Sequence, residues 1–162
     1  MSPDPDEISS LDFACGSFAP HGEFRARYDD GVLHWVNRGP FNVEALRQYG
    51  QARQAALARW QLADCPFVGL VEWRDSMLMS AEAFATYAEG FERFCAGPHR
   101  LQAVAWVARP GLEGLDIMQR HFGRLFQLHA LPFRLFEAVE PARGWVLTCL
   151  AEARQGPAAP AA

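Results

Sequence analysis

Lysine is missing from this chain: all fifteen basic residues are arginine, and nineteen acidic residues leave a net charge of -4. Arginine alone, beside frequent alanine and proline, points to base composition rather than to a binding device. The acidic balance leaves no footprint for nucleic acid or an anionic membrane surface. No apolar run approaches the roughly 20 residues of a membrane span. The opening "MSPDPDEISS" has neither a basic nor an apolar region, so it does not read as a secretory signal. A cytoplasmic protein is expected.

Chemistry is also sparse. Cys15, Cys65, Cys95 and Cys149 are widely separated, with no C-x-x-C pair and no histidine at zinc-finger spacing. Cys95 and Cys149 fall on apolar helical faces and are expected to be small buried residues. "ARPGLEGL" at 108–115 has glycines before a helix, but neither a Lys-Ser/Thr nor a G-x-G-x-x-G follows, so no phosphate cradle is expected. His121 and His129 are too far apart on one helix to share a metal, and His34 and His99 have no acidic or thiol neighbour in sequence. No nucleophile and base stand together. A cofactor-free, non-enzymatic protein is expected.

What is present is ordinary globular material. At 162 residues, 50% hydrophobic and 21% charged, the chain has the size and composition of one domain with a full core. Residues 1–20 read as an extension, partly disordered, in which 11–20 form either an edge strand or an arm. Residues 153–162 read as a disordered tail. Between them, "EFRARYDDGVLHWV" alternates through Phe24, Ala26 and Tyr28 and turns at Asp30-Gly31 into Val32–Val36, a hairpin whose second arm is apolar on both faces.

A helix follows, with Asn42 as N-cap and Phe41 and Leu46 as its hydrophobic staple. "CPFVGLVEW" and "LQAVAWVA" are short apolar runs suited to strands covered on both sides. Phe84, Tyr87, Ala88, Phe91, Phe94 and Cys95 repeat by threes and fours, as do Leu115, Met118, Phe122, Leu125 and Phe126. "FRLFEA" is a last short strand. A closing helix over 138–152 presents Ala142, Trp145, Val146, Cys149 and Leu150. The order predicts an α/β domain: a mixed sheet of about five strands, antiparallel at the hairpin and parallel later, with about four helices.

In "YDDGVLHWVNRGPFNVEAL", "PFVGLVEW", "LQAVAWVA" and "FRLFEAVEPARGWV", spread over 22–150, the chain resembles the SpoIIAA-like branch of the STAS domains, the anti-sigma factor antagonists, with the lipid-binding CRAL-TRIO group as relatives. The resemblance implies a regulatory module whose switch lies where the central strand enters the next helix, a corner occupied by "VEWRDSMLMSAEAF" at 71–84. The phosphorylated members carry Asp-Ser, then Ser or Thr, then Gly; here Asp75-Ser76 is followed by Met77-Leu78. That departure argues against phosphorylation. Counting from Glu72, the family position falls nearer Ser80, which is also a natural N-cap, with Met79 and Phe84 at staple positions.

Two functions follow. The first is a protein-interaction module presenting Arg74, Asp75, Ser76, Met77, Leu78, Met79 and Ser80, with the Met-Leu-Met segment as an adaptable apolar contact, to a protein partner or a second copy of itself. The second is binding of a lipid or other apolar small molecule in a sheet–helix cavity lined by Glu72, Trp73, Phe84, Phe91, Phe122 and Phe126. Glu72 draws attention because ligands gather at the carboxyl ends of strands in α/β sheets.

Overall fold

The computed structural model describes residues 6–13 and 16–156; residues 1–5, 14–15 (with Cys15) and 157–162 lie outside them. Six strands form one sheet in the order β1-β2-β3-β4-β5-β6: Ile8–Ser9, Glu23–Asp29, Val32–Arg38, Phe67–Arg74, Leu101–Val107 and Phe133–Phe136. β1, β2 and β3 pair antiparallel, whereas β3 through β6 run parallel. Four helices connect or close the sheet: α1 Val43–Arg59, α2 Ala81–Cys95, α3 Leu115–Leu128 and α4 Val139–Gln155.

The hairpin forms where the sequence provides for it. Asp30 and Gly31 both take positive φ, 51° and 84°, as a two-residue turn matched to strand twist requires. Gly31 has a second reason: a Cβ there would meet Leu150 of α4 at 2.5 Å. Arg143 of α4 reaches the same turn, 3.0 Å from Asp29 Oδ2, fixing the helix against the hairpin. At the start of α1, Asn42 Oδ1 accepts from Ala45 N at 3.1 Å and from His21 N at 2.8 Å, while its Nδ2 donates to Ala19 O at 3.0 Å. One side chain therefore caps the helix and ties down the segment before β2.

Each parallel crossover moves one place along the sheet in the same direction. Right-handed connections then deliver α1, α2 and α3 to one face. There Phe24, Leu33, Trp35, Trp73 and Trp106 meet Leu46, Phe91, Phe122 and Phe126 in a large, mainly aromatic core. α4 has no following strand and packs on the opposite face, where Val32, Val68, Leu70, Ala103 and Ala105 meet Ala142, Val146 and Leu150.

The structure differs from the sequence expectations in three places. There are six strands instead of five, because Ile8–Ser9 adds an edge strand with Ile8 opposite Ala26. Two residues are too few to show a period of two. The closing helix runs to Gln155, past the expected boundary at 152, through the helix-favouring "AEARQ". Cys95 is exposed and Cys149 only half-buried, where both were expected inside. Phe91 and Phe94 fix the buried stripe of α2, and one further residue turns Cys95 about 100° away from Phe94.

Candidate functional site

The corner at 71–84 begins with the alternation of β4. Trp73 points to the three-helix face, and Glu72 and Arg74 point to the other. Asp75 then adopts φ +65°, and Ser76 N donates to Arg74 O at 2.8 Å, closing a three-residue turn of the uncommon kind with positive central φ. The carboxylate of Asp75 lies 3.3 Å from Arg38 Nη1, while Arg74 Nη2 pairs with Glu72 Oε2 at 2.9 Å. Neighbours in sequence, Arg74 and Asp75 thus pair with different residues, Arg74 back along its own strand and Asp75 across to β3.

The next four residues are pulled under the surface. Met77 N donates to Glu113 O at 2.8 Å, and Phe41 N donates to Leu78 O at 2.8 Å, so the loop is pinned to both flanking crossovers. Gly39 permits this, since a Cβ there would collide with the Ser76 carbonyl oxygen. Ser76 is 3% exposed and Met77 0%, with Leu78 and Met79 half-buried. The expected apolar contact loop is therefore corrected: Met77 is core, and only Arg74, Asp75 and Ser80 of the predicted set stand in solvent. Ser76 Oγ accepts from Leu78 N at 3.1 Å, and Ser80 Oγ caps α2 by accepting from Ala83 N at 3.1 Å. The cap role read for Ser80 is the one it has.

Of the predicted pocket residues, Trp73, Phe84, Phe91, Phe122 and Phe126 come together. Trp73 lies 5.8 Å and Phe84 5.2 Å from Phe122, ring centre to ring centre, and Phe91 lies 5.4 Å from Phe126. All but Phe84 border an aromatic cavity of about 60 Å³. Glu72 does not join them, because strand alternation sends it through the sheet to the opposite face. Sequence reasoning missed Asn37, Tyr49 and Tyr87, which also line the cavity. Their signal was present: a polar Asn37 in phase with Leu33 and Trp35, and two tyrosines on the inward stripes of neighbouring helices. The Asn37 Oδ1 and Trp73 Nε1 atoms are buried without hydrogen-bond partners, a cost of about 1–3 kcal/mol for each such group.

On the other face α4 covers β4, β5 and β6 and leaves the carboxyl half of β3 bare. Arg25, Arg27, His34, Val36, Arg38, Glu72, Arg74 and Glu7 line an open concavity of about 460 Å³ there. Glu7 bridges Arg25 and Arg27 at 3.2 and 3.1 Å. His34 Nε2 lies 2.8 Å from Glu72 Oε1, close enough for an ion pair but outside hydrogen-bond geometry. Burial lowers the His34 pKa from its ordinary value, and the neighbouring Glu72 carboxylate only partly offsets this. Among the described residues no hydroxyl or thiol lines this concavity, and no cluster of three or more His, Cys, Asp or Glu could hold a metal. No helix among the described residues is long and apolar enough to cross a membrane.

In comparison with known proteins the chain matches no family model, no curated protein and no solved structure.

Proposed function

We propose that this chain is a non-enzymatic, STAS-like interaction module that is not switched by phosphate and docks a protein partner on the bare face of β2, β3 and β4. The observation that carries this reading is the row of charge left uncovered by α4. Four arginines and two glutamates line that concavity, and Glu23 and Asp75 pair with Arg25 and Arg38 at its edge, so the face is a dense row of ion-paired charge. Such local complementarity selects partners and speeds their encounter. A partner whose acidic groups match the spacing of these arginines would exchange with the carboxylates that now pair with them. The exposed rim of the corner, Arg74 and Asp75, borders the docking face, while Ser80 caps α2 and the Ser76 hydroxyl is buried.

The test compares capture from the native cell extract by the wild type, by Arg38→Glu/Arg74→Glu, and by Arg124→Glu on the exposed side of α3. One stoichiometric partner, lost in the double variant, retained in the control and released by salt, is the expected result. Equal behaviour of all three proteins sinks the reading.

A second reading, a binder of an apolar small molecule, is favoured by the aromatic cavity with its unpartnered Trp73 Nε1 and Asn37 Oδ1. At about 60 Å³ the cavity takes a small group and not a lipid chain, given that about 150 Å³ is a benzene-sized space.

A further inference from the structure

Among the described residues Arg53 is the one charged residue that borders the aromatic cavity. It stands on α1 and crosses to α2, where its Nη2 donates to Gly90 O at 2.7 Å. Its guanidinium lies 5.4 Å from the centre of the Tyr49 ring and 5.2 Å from that of Phe94, within reach of cation–π attraction. Its Nη1 is buried with no hydrogen-bond partner. Gly90 admits the close approach: the space its Cβ would fill lies 3.3 Å from Arg53 Nη2 and 3.9 Å from Arg93 Nη2. Two guanidinium groups therefore converge over one glycine. Among the described residues neither has a carboxylate within ion-pair distance.

These arginines line a groove of about 450 Å³ between α1 and α2, together with Arg47, Tyr49, Gly50, Tyr87, Phe94 and His99. The volume lies in the range of small-molecule sites, about 300–1,000 Å³. No Asp or Glu lines it; Glu89 and Glu92 of α2 are exposed elsewhere on that helix. The floor is flat and aromatic. Tyr49 and Tyr87 stack with ring centres 5.8 Å apart and planes 16° apart, and His99 stacks on Phe94 at 4.9 Å and 8°. Gly50 leaves the outer wall open, since nothing lies within 4 Å of the Cβ it lacks. Tyr49, Tyr87, Phe94 and Arg53 border both the groove and the aromatic cavity.

We propose that the α1–α2 groove binds a small organic anion, its acid group held between Arg53 and Arg93 and its apolar body laid along Tyr49, Tyr87 and Phe94 toward the aromatic cavity. The proposal rests on the small-molecule reading and adds to it the sign of the charge and the point of access. Convergent guanidinium groups suit a carboxylate or a related oxyanion, because each presents several donors in a fixed plane. The acid group would supply the partner that Arg53 Nη1 lacks. Burial, with Arg53 nearby, lowers the His99 pKa, so His99 is a local reporter of negative charge arriving in the groove.

The test uses 2-naphthoate and its neutral counterpart 2-naphthylmethanol on the full chain, with calorimetry for affinity and two-dimensional NMR for location. Naphthoate should bind one to one, shift His99 and the amides of α1 and α2, and bind about tenfold more weakly to Arg93→Gln, a loss typical of one charged hydrogen bond. Arg93 is exposed, so that variant is expected to fold. The neutral alcohol should bind more weakly and be indifferent to Arg93→Gln, and Gly50→Trp should abolish binding of both by filling the groove. Equal binding of acid and alcohol, both indifferent to Arg93→Gln, would overturn the anion assignment while leaving the small-molecule reading intact. Shifts elsewhere, or full binding to Gly50→Trp, would overturn the site. Binding of neither compound would count against both.

Discussion

The two faces of the sheet are built on opposite terms. Three helices and a dense set of rings close one face, where Trp106 alone lies 4.9 Å from both Trp73 and Phe122 and 5.0 Å from Phe133. One helix and small aliphatic side chains, Ala103, Ala105, Ala142 and Val146 among them, close half of the other. The aromatic side fills volume with flat plates that leave a residual cavity and isolate polar atoms such as Trp73 Nε1. The aliphatic side packs without comparable rings and then stops, leaving β3 and its charges in water. Both candidate sites follow from this asymmetry: a small interior space where large rings do not tile completely, and a charged exterior where a helix is missing.

Replacing one ring tests the first half of that contrast. Phe122→Ala should cost about 3–5 kcal/mol in chemical denaturation, because this 1% exposed ring touches Trp73, Phe84, Tyr87, Trp106 and Phe126. On the opposite face Leu150→Ala should cost less, about 2–3 kcal/mol at the lower end of the usual range, since α4 borders open sheet and can settle. Equal costs would mean that the two layers are equally rigid.

A smaller effect is expected from Asn42→Ala, about 1–2 kcal/mol by the loss of a cap. Hydrogen exchange should rise in the segment around Ala19 and His21 as well as in the first turn of α1. Exchange confined to α1 would show that the cap does not tie the two together.

The smallest effect concerns acid. The folded-state pKa of His34 is lowered, so the unfolded chain takes up a proton first as pH falls below the ordinary histidine value of 6.5. Its contribution to stability is full above that value and is lost toward the lower folded pKa. The charged groups facing it are Glu72, Arg143 and Arg27. His34→Gln should flatten the decline in unfolding free energy between about pH 7 and pH 5. An unchanged slope would place the acid sensitivity in other groups.

Much of this fold is legible from period alone. The stripe Leu115, Met118, Phe122, Leu125 and Phe126 is the buried face of α3, and Asn42 and Ser80 cap the helices for which their side chains suit them. The alternation of strands and helices gives the mixed sheet. What periodicity cannot give is where a helix stops covering a sheet. Val32–Val36 reads as apolar on both faces, yet His34 and Val36 stay half-buried because α4 lies over β4 to β6. The corner misled for a related reason. Met77 and Leu78 look like an exposed apolar loop when only their neighbours in sequence are considered, and it is the distant Glu113 and Phe41 backbones that draw them in. The α1–α2 groove was hidden because Arg53 and Arg93 read separately as solvent-facing charges; only helix packing over Gly90 brings them together.

The pinned corner has one more consequence. Phe41, Leu78, Met77 and Glu113 belong to the three connections that lead into α1, α2 and α3, and their two backbone bonds make those connections a single clasp at the carboxyl end of the sheet. Opening any one of them exposes the amide or carbonyl of the next. Each helix start is thereby tied to its neighbour through backbone alone, so the tie does not depend on which side chains occupy the corner.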